Sequence, residues 1–148
     1  MQETIYKQAK EFKHKYPRTI AWRLNAHSKV LANHICKDEA IQYVFTAQKN
    51  DNPLDIISTN IIVITDKRIL LGQKRLLFGY LFSSITPDMF NDIKVKMGVI
   101  WGKILIDTVK EFIVLSNIQM EALQEIEKVV SKYIMEQKSK YIEVEKNV

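Results

Sequence analysis

One stretch near the middle of the chain, Ile56 to Leu71, constrains the fold more than any other. It reads Ile-Ile-Ser-Thr-Asn-Ile-Ile-Val-Ile-Thr, then the polar pair Asp66-Lys67, then Arg-Ile-Leu-Leu. Runs this rich in β-branched residues, interrupted by a short polar pair, predict two strands joined by a tight turn. With that pair at the tip, Ile64 faces Ile69, and both faces of the hairpin carry apolar side chains. One face must therefore line a core, and the other must be covered by a helix, a neighbouring strand or a partner chain.

The rest of the composition is that of one ordinary globular domain. The chain has 148 residues, of which 47% are hydrophobic and 26% charged, so it can bury a core of its own. No apolar run approaches the roughly 18 residues of a membrane-spanning helix. The first residues lack the basic-then-apolar order of a secretory signal, and the single cysteine, Cys36, cannot form an internal disulfide. We therefore expect a cytoplasmic protein.

The first 36 residues are predicted to form a basic helical segment. Apolar residues recur at helical spacing from Glu3 to Lys15, and Pro17 ends that run. Thr19 is placed to cap a second helix that runs to about Ile35. Both helices are candidates to cover the outer face of the central hairpin. The excess of lysine and arginine before Leu24 suits either a solvated helix face or an anionic partner.

Residues 37–137 are predicted to form about seven short antiparallel strands and one long helix. Strand-like alternation begins at Ala40, and Phe78, Tyr80 and Phe82 alternate on one predicted strand. Ser116 to Gln119 fits a capping box, followed by an amphipathic helix whose apolar stripe should pack on the sheet. The pattern fades after Gln137, so we expect residues 138–148 to fray. The fold class is α+β and mainly β, a small bent barrel whose open end the last helix closes.

Four segments in order resemble the bacterial PH-like domains, and especially their YokE-like group. They are Ile64–Leu71, Ile85–Val95, Gly98–Ile106 and the closing helix. The resemblance implies a seven-stranded antiparallel bent barrel capped by a C-terminal helix, here preceded by one or two helices. It implies neither enzymatic activity nor a cofactor. In eukaryotic PH domains that bind inositol phosphates the first inter-strand loop is basic, but here Gln48–Asp55 has one lysine against two aspartates, which argues against such a ligand at that loop.

Other site chemistry has little support in the sequence. The four glycines form no phosphate-binding motif. His27 and His34, with Cys36 nearby, lack the four closely spaced ligands of a structural zinc site, so we interpret the two histidines as a surface pair. No acid, base and nucleophile can be placed together. The sequence thus predicts no catalytic, cofactor or metal site.

The leading hypothesis is a non-enzymatic interaction module that binds a protein partner or a second copy of itself through an apolar surface. Nucleic acid is not expected as a partner. The candidate surface combines aromatic residues with the paired cations of the barrel: Trp22, Lys67, Arg68, Lys74, Arg75, Phe78, Tyr80 and Phe82. The alternative is peripheral binding to anionic membranes through Tyr6 to Arg23, with Ile5, Phe12 and Trp22 entering the bilayer interface.

Overall fold

The computed structural model describes residues 1–147 as three helices packed on one curled antiparallel sheet. The helices are α1 (Gln2–Lys15), α2 (Leu24–His34) and α3 (Leu123–Lys146). The strands are β1 (Ile41–Gln48), β2 (Thr59–Thr65), β3 (Ile69–Lys74), β4 (Tyr80–Ile85), β5 (Phe90–Lys96), β6 (Trp101–Thr108) and β7 (Phe112–Gln119). Short 3-10 turns lie at Pro87–Met89 and Met120–Ala122. In this described part of the chain, no helix is both long and apolar enough to cross a membrane.

The strand order, β4-β3-β2-β1-β7-β6-β5, bends at one point. Strands β1 to β4 and strands β5 to β7 each form an extended antiparallel ladder, whereas β1 meets β7 through the single pair Gln48 and Ser116. The two halves therefore curl toward each other and enclose a core between them. This confirms the predicted class, a mainly β fold with a seven-stranded half-barrel, two N-terminal helices and a C-terminal helix.

The central hairpin has the predicted register but is shorter than predicted. Ile64 faces Ile69 across β2 and β3, and every residue of β2 is buried. The strand begins at Thr59, so the prediction that Ile56 belongs to it was wrong. The Asp55 carboxylate accepts the backbone N–H of Ile57 at 2.9 Å and so folds the chain into a turn there.

Both faces of the hairpin are buried, and the chain itself covers them. On the inner face, Ile62, Ile64, Ile69 and Leu71 join the core inside the half-barrel. On the outer face, hairpin residues Ile61, Val63 and Leu70 pack in a second cluster with Ile5, Ala9 and Leu31 of α1 and α2. The prediction that these two helices cover the outer face is confirmed. No second chain is needed to bury the hairpin.

Helix α2 begins later than predicted. Arg23 precedes it in the left-handed region, with φ of 56°, and no side chain caps its N-terminus. The Thr19 hydroxyl instead accepts the backbone N–H of Gln119 at 2.9 Å. The prediction of a Thr19 cap was therefore wrong, because a tertiary contact with the end of β7 uses the hydroxyl.

The C-terminal helix also begins later than predicted. Ser116 to Gln119 belong to β7, and Ile118 is buried opposite Gly102 of β6, so the predicted capping box was wrong. The predicted apolar stripe does pack on the sheet, with Leu123, Ile126 and Val130 fully buried. Helix α3 runs on through Lys146, well past Gln137. Fraying of the last residues stays a prediction, and Val148 lies outside the described residues.

Two further strand ends differ from what the local sequence favours. The polar run Gly72-Gln-Lys-Arg75 is typical of a turn, and the sequence predicts one there, but strand β3 continues through Lys74. The alternation of Ile93, Val95 and Met97 predicts that Met97 faces inward, but it is 62% exposed because it follows the last pair of β5 and β6, Lys96 with Lys103.

Gly102 is where β6 approaches α3 most closely. A Cβ atom at this position would lie 2.3 Å from Cδ1 of Leu123 and 2.7 Å from the carbonyl oxygen of Lys96. We predict that Gly102→Val displaces the start of α3 and lowers the free energy of unfolding by about 1–3 kcal/mol. Urea unfolding checks this, with Asp107→Val, at an exposed position of the same strand, as the control. Equal stability of the two variants would show that α3 does not pack on Gly102.

Candidate interaction surface

The loop between β1 and β2, residues 49–58, uses its polar side chains to bond its own backbone. Oδ1 of Asn50 accepts the N–H of Asn52 at 3.0 Å, and Oδ1 of Asn52 accepts the N–H of Leu54 at 3.0 Å. These turns are the ordinary use of asparagine in loops. Apolar Leu54 and Ile57 of the same loop are exposed to solvent.

The loop between β3 and β4, residues 75–79, is short and apolar at its tip. The N–H of Arg75 donates to the carbonyl oxygen of Gly79 at 3.1 Å, and Gly79 takes the positive φ of 75° that closes the turn. The closed turn leaves Leu76, Leu77 and Phe78 outside the sheet. Leu77 and Phe78 are 84% and 83% exposed.

The two loops border an open cavity of about 670 Å³, which we call the loop cavity. Its lining residues are Lys49, Ile57, Ser58, Gln73, Arg75, Leu76, Leu77, Phe78 and Leu81. Lys49 is partly neutralised, because its Nζ lies 4.0 Å from the Glu111 carboxylate and donates to Ser83 at 3.2 Å. The cavity is thus a mainly apolar recess with a cationic rim. These lining residues include no carboxylate, histidine or cysteine, and no group of three or more metal-ligating side chains occurs within the described residues.

The structure does not bring the predicted surface residues together in one face. Phe78 and Arg75 line the loop cavity. Phe78 precedes β4, the strand that holds Tyr80 and Phe82. The Phe82 ring is half-buried and stacks on the ring of His34, with centroids 4.0 Å apart. The interaction role of these residues stays a prediction, and the aromatic alternation predicted along one strand begins only at Tyr80.

The remaining predicted residues lie elsewhere. Trp22 is half-exposed near α1, with Nζ of Lys13 5.5 Å from its ring. Lys67, at the tip of the central hairpin, forms an ion pair with Asp38. Neither residue contributes to the loop cavity.

Arg68 has a structural role within the chain. Its Nη2 donates to Oε1 of Glu39 at 2.7 Å, and the Thr65 hydroxyl donates to the other oxygen of that carboxylate at 2.8 Å. Burial tends to raise the pKa of Glu39, but the hydrogen bonds from Arg68, Thr65 and the Cys36 N–H outweigh it and lower that pKa to about 2. This pair fixes the segment before β1 to the tip of the hairpin.

The prediction of two surface histidines was wrong for His27. His27 belongs to α2, and its side chain is buried. Its Nδ1 accepts the backbone N–H of Lys74 at 2.8 Å. Burial, with a smaller effect of the Arg23 charge, lowers the pKa of His27 to about 4. The neutral ring therefore serves as an acceptor that ties α2 to the end of β3.

Of the nine residues that line the loop cavity, only Arg75 and Phe78 were predicted from the sequence. The four apolar residues that were missed are Ile57, Leu76, Leu77 and Leu81. An apolar run such as Leu76-Leu-Phe78 favours a strand by periodicity and propensity. The available signal was Gly79, because a glycine inside a short strand pattern often marks a turn or bulge. The same glycine places the apolar residues before it at the loop tip.

The seven strands form a curled half-barrel that α3 closes, and two inter-strand loops border the loop cavity. A family model described as Bacterial PH domain matches residues 35–132, about two thirds of the chain. The chain therefore belongs to the bacterial PH domain family, which is generally non-catalytic. Membership of the YokE-like group stays a prediction.

The chain was also compared with solved structures and with curated proteins. The crystal structure of a pleckstrin homology domain from Shewanella amazonensis SB2B is similar, with 14% sequence identity and a TM-score of 0.48 over 70% of this chain and 82% of that one. No curated protein matches the chain.

The Glu39 carboxylate makes the stability of the fold depend on pH. Because its pKa is lower in the folded chain than in the unfolded chain, its contribution is complete above about pH 4.5 and is lost as the pH falls toward 2. We predict that Glu39→Gln lowers the free energy of unfolding by about 2 kcal/mol at pH 6 and by less at pH 3. Urea unfolding at both pH values measures this, with exposed Glu121→Gln as the control. A loss of equal size at both pH values would contradict a charged Glu39 in the native state.

Proposed function

We propose that the protein is a non-enzymatic interaction module that binds an apolar segment of another protein in the loop cavity. A cytoplasmic location, expected from the single cysteine, is part of this proposal. The observation that carries it is the exposure of Leu77 and Phe78 at a turn closed by Gly79. Two large apolar side chains held in water at the mouth of a recess are typical of a binding surface.

Energetic considerations support a protein ligand of modest size. Burying the exposed parts of Leu77 and Phe78 against a partner would contribute about 1.5–3 kcal/mol for each side chain. The polar rim supplies orientation, because Arg75 and Gln73 can donate hydrogen bonds to a peptide backbone or side chain. A few anchors of this kind carry most of the affinity of many protein interfaces.

The alternative membrane site, Tyr6 to Arg23, is poorly suited to a bilayer in the folded chain. Ile5 and Phe12, two of the three residues expected to enter a bilayer, are buried, which leaves Trp22, 53% exposed, as the third.

A phage-displayed peptide library, selected on the purified protein, tests the proposal. We expect enriched peptides with apolar anchor residues, and we expect the double variant Leu77→Ser/Phe78→Ser to weaken their binding at least about tenfold. The matched control is Val99→Ser/Val109→Ser, which removes two other exposed apolar side chains and should leave binding unchanged.

Two outcomes would overturn the proposal. The first is that no peptide is enriched, or that enriched peptides bind both double variants equally well. The second is a concentration-dependent dimer in sedimentation velocity that the Leu77→Ser/Phe78→Ser variant abolishes, because a second copy would then occupy the surface.

A further inference from the structure

A second cavity, of about 420 Å³, lies between α2 and the ends of β3 and β4, and we call it the α2 cavity. Its lining residues are Arg23, Asn25, Ala26, Lys29, Val30, Asn33, His34, Lys74 and Tyr80. All of α2 precedes residue 35, where the family match begins. The α2 cavity therefore combines the family domain with a helix that lies outside the match.

The α2 cavity is strongly positive. Arg23, Lys29 and Lys74 contribute three cations, and its nine lining residues include no carboxylate. Among the described residues, none of these three cations lies within 4.0 Å of an acidic oxygen. By contrast, Lys103 and Asp51 beside the β1–β2 loop are paired with each other at 2.5 Å. Converging unpaired cations in a recess attract a compact anion.

Hydrogen bonds hold the Arg23 guanidinium and the backbone of Lys74 in place. The backbone N–H of Lys74 donates to Nδ1 of buried His27 at 2.8 Å, and its carbonyl oxygen accepts from Nη1 of Arg23 at 3.0 Å. The same contact therefore positions the Arg23 guanidinium beside the residue that carries the Lys74 ammonium. A guanidinium has five N–H donors, so Arg23 keeps others for a ligand.

The neutral lining adds further donors and an aromatic wall. Asn33 and the half-exposed Tyr80 offer an amide and a hydroxyl. The ring of Tyr80 meets the ring of His34 edge-on, with centroids 5.1 Å apart. Arginine and lysine together with neutral donors are the groups that bind phosphate oxygens in proteins.

We propose that the α2 cavity binds a phosphate-bearing anion through Arg23, Lys29 and Lys74. The anion is either the headgroup of a lipid or a free phosphate compound, since both present the same oxygens. The site is separate from the loop cavity, and it stands independently of the proposed binding of a protein segment there.

Titration of the full-length ¹⁵N-labelled protein with inorganic pyrophosphate at constant ionic strength tests this proposal. We expect saturable amide shifts that centre on Asn25, Lys29, Lys74 and Tyr80. The double variant Lys29→Gln/Lys74→Gln should raise the apparent Kd at least about tenfold. The matched control Lys128→Gln/Lys140→Gln has the same net charge and removes two exposed lysines of α3, so it should bind like the wild type.

A second arm distinguishes the two sources of phosphate. If the ligand is a lipid headgroup, we expect the protein to float with phosphatidylcholine vesicles that contain phosphatidylglycerol, and the Lys29→Gln/Lys74→Gln variant to lose this flotation. If the ligand is a free phosphate compound, we expect pyrophosphate binding without flotation. Single Lys29→Gln, on the exposed face of α2, serves as a second test that leaves the Lys74 contacts intact. The proposal is wrong if the shifts do not saturate, if they centre elsewhere, or if all the lysine variants bind as the wild type does.

Discussion

The burial of the β2–β3 hairpin on both faces is the constraint on which the rest of the structure depends. A hairpin that is apolar on both faces cannot remain in water. One apolar cluster buries its inner face, and a second buries its outer face. The half-barrel and α3 enclose the inner cluster, while α1 and α2 close the outer one. Because the chain meets this requirement itself, the hairpin is no longer an argument for self-association. The exposed apolar residues that call for a partner lie instead in the loops.

Local hydrogen bonds shape both loops that border the loop cavity. In the β1–β2 loop the asparagine and aspartate side chains bond nearby backbone, and in the β3–β4 loop one backbone hydrogen bond closes the turn. Leucine, isoleucine and phenylalanine side chains of these loops face water as well. The outer helices have a second consequence, because packing α2 on β3 places Arg23 and Lys29 beside Lys74. One sheet thus supports an apolar recess on one side of its β3–β4 edge and a basic recess on the other.

Much of the fold could be predicted from the sequence, and the errors have physical causes. The register of the hairpin and the buried stripe of α1 were predictable because apolar spacing alone determines them. The start of α3 was not, since Ser116 to Gln119 also fit a strand, and pairing with β6 decided between the two. Nor could the sequence show that Thr19 bonds Gln119 or that His27 is buried. Thr19 and Gln119 are far apart in the chain, and so are His27 and Lys74. The residues that line each cavity also come from distant parts of the chain.

The central claim is that α1 and α2 of the same chain cover the outer face of the hairpin. A methyl NOESY spectrum of protein labelled at Ile, Leu and Val methyl groups measures it most directly. Because these residues pack in one cluster, we expect intramolecular NOEs from Ile5 and Leu31 to methyl groups of Val63 and Leu70. The absence of these NOEs, or their appearance only between differently labelled copies in a mixed sample, would contradict it.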